Sequence, residues 1–109
     1  MATDNRTTET EVLRALVYSR IDEFRALLEK YRASHPRLFG SVARGSADAG
    51  SDIDILVDMD PDDGNLLMRA SGLMEEVREL YDSDAIDIFP VGLLKEPVRK
   101  QAISEAVTL

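Results

Sequence analysis

Asp52 and Asp54 stand two apart in a stretch, Asp52 to Val57, that alternates carboxylate and aliphatic residues. A period of two marks a β-strand. Both carboxylates therefore leave one face, roughly 6–7 Å apart along the backbone, and Ile53, Ile55 and Val57 leave the other. Neighbouring acids repel each other unless a cation sits between them. Oxygen ligands with no cysteine or adjacent histidine suit magnesium, manganese or calcium. Upstream lies Gly40-Ser41, placed between a strand end and a short helix. Glycine admits close approach of a phosphate, exposed N–H groups and the positive end of a helix favour an anion, and the serine hydroxyl adds a donor. Arg44, one turn on, brings a forked guanidinium within reach of the same phosphates. Downstream, Asp87 interrupts the apolar run Ala85-Ile86-Asp87-Ile88-Phe89, where a charge is costly unless paired or ligating. If the two acidic strands are neighbours, Asp52, Asp54 and Asp87 converge. Two metal ions about 3.5–4 Å apart at such a site can activate a hydroxyl and stabilise a leaving oxygen.

Each of these residues also has a plainer reading. Asp52 and Asp54 could line a solvated strand face, and Asp87 could pair with an arginine. Arg44 could make a surface ion pair, and Ser41 could simply cap a helix. The acidic stretch Asp58 to Gly64 resembles a calcium-binding EF-hand loop only superficially, because its sixth position is Asp63 rather than glycine and its twelfth is Arg69 rather than glutamate. The sole histidine, His35, precedes Pro36 in an expected loop and reads as structural or idle. Tyr18, Tyr31 and Tyr81 fall at or near apolar helical positions and read as core or partner-facing residues. Asp82 and Asp84 read as loop residues.

The elements that must position these groups follow from periodicity. Residues 1–8 read as a loose tail, and 9–109 as a single domain. Thr8 and Glu11 form a capping-box pattern. Val12, Leu13, Leu16, Val17, Phe24, Leu27, Leu28 and Tyr31 then recur at helical spacing, predicting one helix over about residues 9–33 that ends at His35-Pro36. Leu38-Phe39 ends a first strand, Ser41 to Arg44 forms a short helix closed near Gly45, and residues 46–50 form a flexible loop. Asp52 to Val57 is the second strand. Asp60 to Gly64 has turn chemistry, and Asn65 caps a helix running to about Tyr81. Gly72 inside that helix is unfavourable by about 1 kcal/mol relative to alanine. Ala85 to Phe89 is a third strand, stopped by Pro90. A last helix has Pro97 in its first turn and Val98, Ala102, Ile103, Ala106 and Val107 as its apolar stripe. The order αβαβαβα predicts a small α/β (α+β) domain, with helices flanking a short mixed sheet.

Composition narrows the function classes. A chain of 109 residues can bury a core without a staple. With no cysteine, disulfides and thiolate metal sites are excluded. The polar start has no signal-peptide pattern, and no apolar stretch is long enough to span a membrane. A cytoplasmic protein is the expectation. The net charge of −8 makes direct nucleic-acid binding unfavourable, but not binding of a triphosphate that carries its own magnesium.

Gly40-Ser41, ten residues, then Asp52-Ile53-Asp54 resembles the signature of the minimal nucleotidyltransferases (MNT) of the polymerase-β superfamily. Phe39, Ala43-Arg44-Gly45 and Ser51 match the flanks, and Asp87 falls where that family carries its third acid. The resemblance covers residues 37–107, with no departure at the motif positions. It implies the polymerase-β-like nucleotidyltransferase fold and ATP as co-substrate, held with two Mg2+ ions by Asp52 and Asp54. It further implies Asp87 as ligand and base, and Gly40, Ser41 and Arg44 as phosphate contacts. Small stand-alone members resemble MntA-type antitoxins, which transfer AMP to a tyrosine of a HEPN-domain ribonuclease toxin. Two other readings stand beside this one: a binding module that occludes the toxin, and a transferase acting on a small molecule such as an aminoglycoside.

Overall fold

The computed structural model describes residues 6–109. Its elements are α1 (Thr8–Ser19), α2 (Ile21–Lys30), β1 (Ala33–Phe39), α3 (Gly40–Arg44), β2 (Ile53–Met59), α4 (Leu66–Tyr81), β3 (Ile86–Pro90), a 3-10 turn (Val91–Leu93), α5 (Val98–Glu105) and β4 (Val107–Thr108). The sheet order is β3-β2-β1-β4. β1 runs antiparallel to both β2 and β4, whereas β2 and β3 are parallel. This is the expected α+β class with a short mixed sheet.

Strand alternation divides the sheet into two faces. Leu38, Ile53, Ile55, Val57, Ile86 and Ile88 join Phe24, Leu28, Leu73 and Val77 in one core cluster, so α2 and α4 cover this face. Asn65 caps α4 as expected, its side chain accepting a hydrogen bond from the Met68 N–H. Gly72 has a packing reason for its place in that helix. A Cβ there would lie 2.9 Å from Cε1 of Tyr31, so glycine lets α2 and its terminal tyrosine lie against α4. The Tyr81 hydroxyl donates to the Val17 carbonyl at 2.7 Å, which fixes the end of α4 to α1.

Several expected boundaries move. The long first helix is two helices, interrupted at Arg20, whose φ of −133° leaves the helical region. The cap is Thr7 rather than Thr8: its side chain accepts from the Thr10 N–H. Within the expected loose tail, Thr7 caps α1 and Thr8 opens it, and residues 1–5 lie outside the described residues. His35-Pro36 does not end a helix. It sits inside β1 at an irregularity in the pairing with β2, with His35 at φ 53°. The last helix stops at Glu105 and Val107 enters β4. Of its expected apolar stripe Ala102 is buried, whereas Val98, Ile103 and Val107 are exposed.

Candidate functional site

The second face of the sheet carries the acids. Asp54 of β2 pairs in register with Phe39 of β1 on one side and with Asp87 of β3 on the other. Adjacent strands lie about 4.8 Å apart, so the two carboxylates start as immediate neighbours. Asp52 lies just before β2, two positions from Asp54 and hence on its face. On the same face Phe39 and Phe89 meet edge to face at 5.3 Å and Leu56 is fully buried, which gives the acids apolar neighbours.

The Gly40-Ser41 turn closes over this pair. Gly40 has φ +71°, and a Cβ built on it would lie 2.6 Å from Oδ2 of Asp54. Any side chain there would displace the carboxylate, so glycine is required both by its backbone and by its neighbour. The turn is held from behind. Arg14 of α1 donates to the Val42 carbonyl from Nε (3.1 Å) and Nη2 (2.9 Å), and to the Ala43 carbonyl from Nη2 at 3.0 Å. Thr10, fully buried, accepts from the Ala47 N–H at 3.0 Å, and the Thr7 hydroxyl donates to the Ala47 carbonyl at 2.6 Å. Residues 46–50 are therefore less free than expected. Asp48 accepts from the Gly50 N–H and donates its own N–H to Ser51 Oγ, and this turn delivers the chain to Asp52.

Electrostatics registers the crowding. Burial, then the Asp87 and Asp52 carboxylates, push the Asp54 carboxyl up to about 6, with Arg44 pulling the other way. Hence Asp52, Asp54, Asp87 and Arg44 share one field, although they come from four different elements and loops. The side chains do not close on a common point. Among the described residues, no three Asp, Glu or His side chains are grouped tightly enough to hold a metal ion. Asp87 leans to Arg78 of α4, which donates from Nη2 to Oδ1 at 2.6 Å. Arg44 makes an ion pair with Glu105 of α5 at 3.2 Å. The plainer readings of Asp87 and Arg44 thus describe contacts that do form. As donors, three carboxylates on one face, Asp54 in register with Asp87 and Asp52 two residues before it, are chemically suited to a hard divalent cation.

Sequence reasoning missed Arg14, Arg78 and Glu105. Each acts across the fold on a residue of the motif, and local spacing carries no signal of that. His35 stands apart from the acids, with Nδ1 3.4 Å from Asp58 Oδ2. The Asp60 to Gly64 segment is a tight turn, in which Asp60 Oδ1 accepts from the Asp62 N–H.

The comparisons with known proteins bear on this arrangement. The family model for the nucleotidyltransferase domain matches residues 21–108. The chain belongs to the nucleotidyltransferase domain family. A solved structure assigned provisionally as a minimal nucleotidyltransferase is 33% identical, covering 92% of this chain and 95% of its own, with a TM-score of 0.71. A second, described as a toxin-antitoxin with AMP-PNP, is 20% identical, covers 80% of this chain and 69% of its own, and has a TM-score of 0.59; at that identity it shares the fold. The chain matches no curated protein. The nucleotidyltransferase thus has the polymerase-β-like fold, and no helix among its described residues is long and apolar enough to cross a membrane.

Proposed function

We propose that this nucleotidyltransferase transfers AMP from ATP to a hydroxyl, a tyrosine of a HEPN-domain ribonuclease toxin, and so acts as that toxin's antitoxin in the cytoplasm. The observation that carries the reading is the meeting of Gly40 with Asp54 beside Asp87. The phosphate turn and the acids, separated in sequence, face each other across one carboxylate. The solved toxin-antitoxin structure with AMP-PNP supports the nucleotide and the kind of partner.

In this reading Asp52, Asp54 and Asp87 would close together to hold two magnesium ions. Bound magnesium offsets the charge of the acids and the triphosphate, and lowers the pKa of a hydroxyl beside it. The backbone of Gly40 and the hydroxyl of Ser41 bind phosphate. Arg44 contributes once it leaves Glu105. Asp87 accepts the proton of the acceptor hydroxyl. The hydroxyl oxygen forms a bond to the α-phosphorus as the bond to the β-phosphate oxygen breaks, and pyrophosphate leaves.

Incubation with a HEPN partner, magnesium and ATP labelled in the α-phosphate tests the proposal. The partner acquires label, and ATP labelled in the γ-phosphate gives none. Absence of α-label with folded protein and varied divalent metals would reject it. Protection from the toxin by a folded Asp52→Asn/Asp54→Asn variant would favour occlusion, a role the acidic surface could serve toward a basic partner.

A further inference from the structure

Arg78 has no place in the signature, yet it is the side chain that grips the third acid. Its Nη2 donates to Asp87 Oδ1 at 2.6 Å, and its Nε donates to the carbonyl of Ile86 at 2.8 Å. β3 is the outer strand of the sheet. The Ala85 carbonyl accepts from the Ile53 N–H at 2.7 Å, so residues 85, 87 and 89 bond to β2 and the Ile86 carbonyl points away from the sheet. One guanidinium therefore fills the outward carbonyl of residue 86 and holds the carboxylate of residue 87. The rigid fork of arginine can make both bonds from one plane.

We propose that Arg78 is the positioning residue for Asp87. This inference rests on the function proposed above, since it assigns Asp87 to metal and acceptor. By binding Oδ1 and anchoring on the backbone of the same strand, Arg78 leaves Oδ2 as the oxygen available to a metal ion, on a residue in register with Asp54. It also supplies a positive charge next to an acid that stands in register with another acid. Partners that orient a metal-binding carboxylate from outside typically change metal affinity or activity by about 10–100-fold when altered. Lysine at this position keeps the charge and loses the fork, so Arg78→Lys isolates orientation from charge.

The test uses the full chain and Mn2+ alone, with free Mn2+ followed by electron paramagnetic resonance and folding by circular dichroism. Arg78→Lys and Arg78→Gln are each expected to bind Mn2+ at least about tenfold more weakly. In an Asp87→Asn background the same substitutions are expected to have no further effect, because there is no carboxylate left to aim. In the transfer assay, Arg78→Lys lowers kcat by about tenfold or more with KM for ATP within about twofold. Should Arg78→Gln fail to fold, Arg78→Lys carries the test. Unchanged or tighter Mn2+ binding in folded Arg78→Lys would overturn the positioning role, because Arg78 would then only compete for Asp87. If the wild-type chain binds no more Mn2+ than Asp52→Asn/Asp54→Asn, the metal site itself fails and this inference falls with it.

Discussion

On one side of β2, Ile53, Ile55 and Val57 are almost wholly buried in the common core. On the other, Asp54 lies in register with Asp87 and against the Gly40 turn, with Asp52 two residues before it. The same backbone serves both sides, so the contrast lies in what each side chain leaves unsatisfied. The aliphatic side gains from every contact and needs nothing more. The acidic side brings like charges together beside apolar neighbours, and burial with the Asp87 and Asp52 carboxylates disfavours the ionised form of Asp54. A strand can hold such a site only because its other side supplies stability.

The sharpest break in that comparison is chemical. Asp52→Asn/Asp54→Asn is expected to abolish transfer, a loss of at least about a thousandfold, since the proposed function assigns these two carboxylates to the charge-stabilising metal. Circular dichroism and thermal melting should show an intact fold. Retained transfer would remove these residues from the site. Ile55→Ala tests the opposite side. It deletes buried atoms next to Asp54 without touching a carboxylate, and should lower stability by about 2–5 kcal/mol in urea titration. Transfer measured below its melting temperature should stay within a few-fold of wild type. Loss of activity in a folded Ile55→Ala protein would show that the two sides are not separable.

The two glycines Gly40 and Gly72 sharpen the contrast, because each makes room for a neighbour on a different side. Gly40→Ala meets Asp54 Oδ2 at 2.6 Å and must hold a positive φ. It should reduce transfer by about tenfold or more, and stability by about 1–2 kcal/mol. Gly72→Ala meets Tyr31 Cε1 at 2.9 Å and its hydroxyl oxygen at 3.2 Å, but regains about 1 kcal/mol of helix propensity. Its net effect should be a loss of stability of about 1 kcal/mol, with transfer unchanged. If Gly40→Ala left transfer intact, the close approach of the turn to Asp54 would have no catalytic consequence.

What was legible in the sequence divides along similar lines. Helix α4, with Asn65 as cap and its apolar spacing, could be read almost to the residue, because local chemistry decides it. The alternation around Asp52 and Asp54 gave the strand and its two faces. The break at Arg20 was not legible, since the apolar period runs on through both helices while the backbone does not. β1 was read only at its end. His35-Pro36 reads as a loop, yet both residues sit within β1, at an irregularity that the pairing with β2 passes over between Ser34 and Arg37. β4 is two residues long and exists through its pairing with Arg37 and Leu38. In the site, the motif residues were legible as types at a spacing. Their partners were not, because Arg78 with Asp87 and Arg44 with Glu105 depend on the packing of α4 and α5.

The smallest effect concerns the cost of the acidic side to the metal-free protein. Asp54 has its carboxyl raised from 3.8 to about 6, first by burial and then by Asp87 and Asp52. A raised folded-state pKa means that the native protein binds the proton more tightly than the unfolded chain. The stabilising contribution is fully present below pH 3.8, and is lost as pH rises through about 6. At pH 8 ionised Asp54 therefore opposes folding, by about 1–2 kcal/mol after allowance for solvent screening at this half-buried site. Asp54→Asn removes the ionisation while keeping the shape. In buffer containing a chelator it should be more stable than wild type by about 1 kcal/mol at pH 8 in urea titration, with the difference shrinking toward pH 4. Magnesium should narrow the gap at pH 8, because a ligand that binds only the native wild-type site stabilises that protein. A variant less stable than wild type at pH 8 would mean that the ionised carboxylate is not a cost to the fold, and the contrast between the two sides of β2 would fail at its central residue.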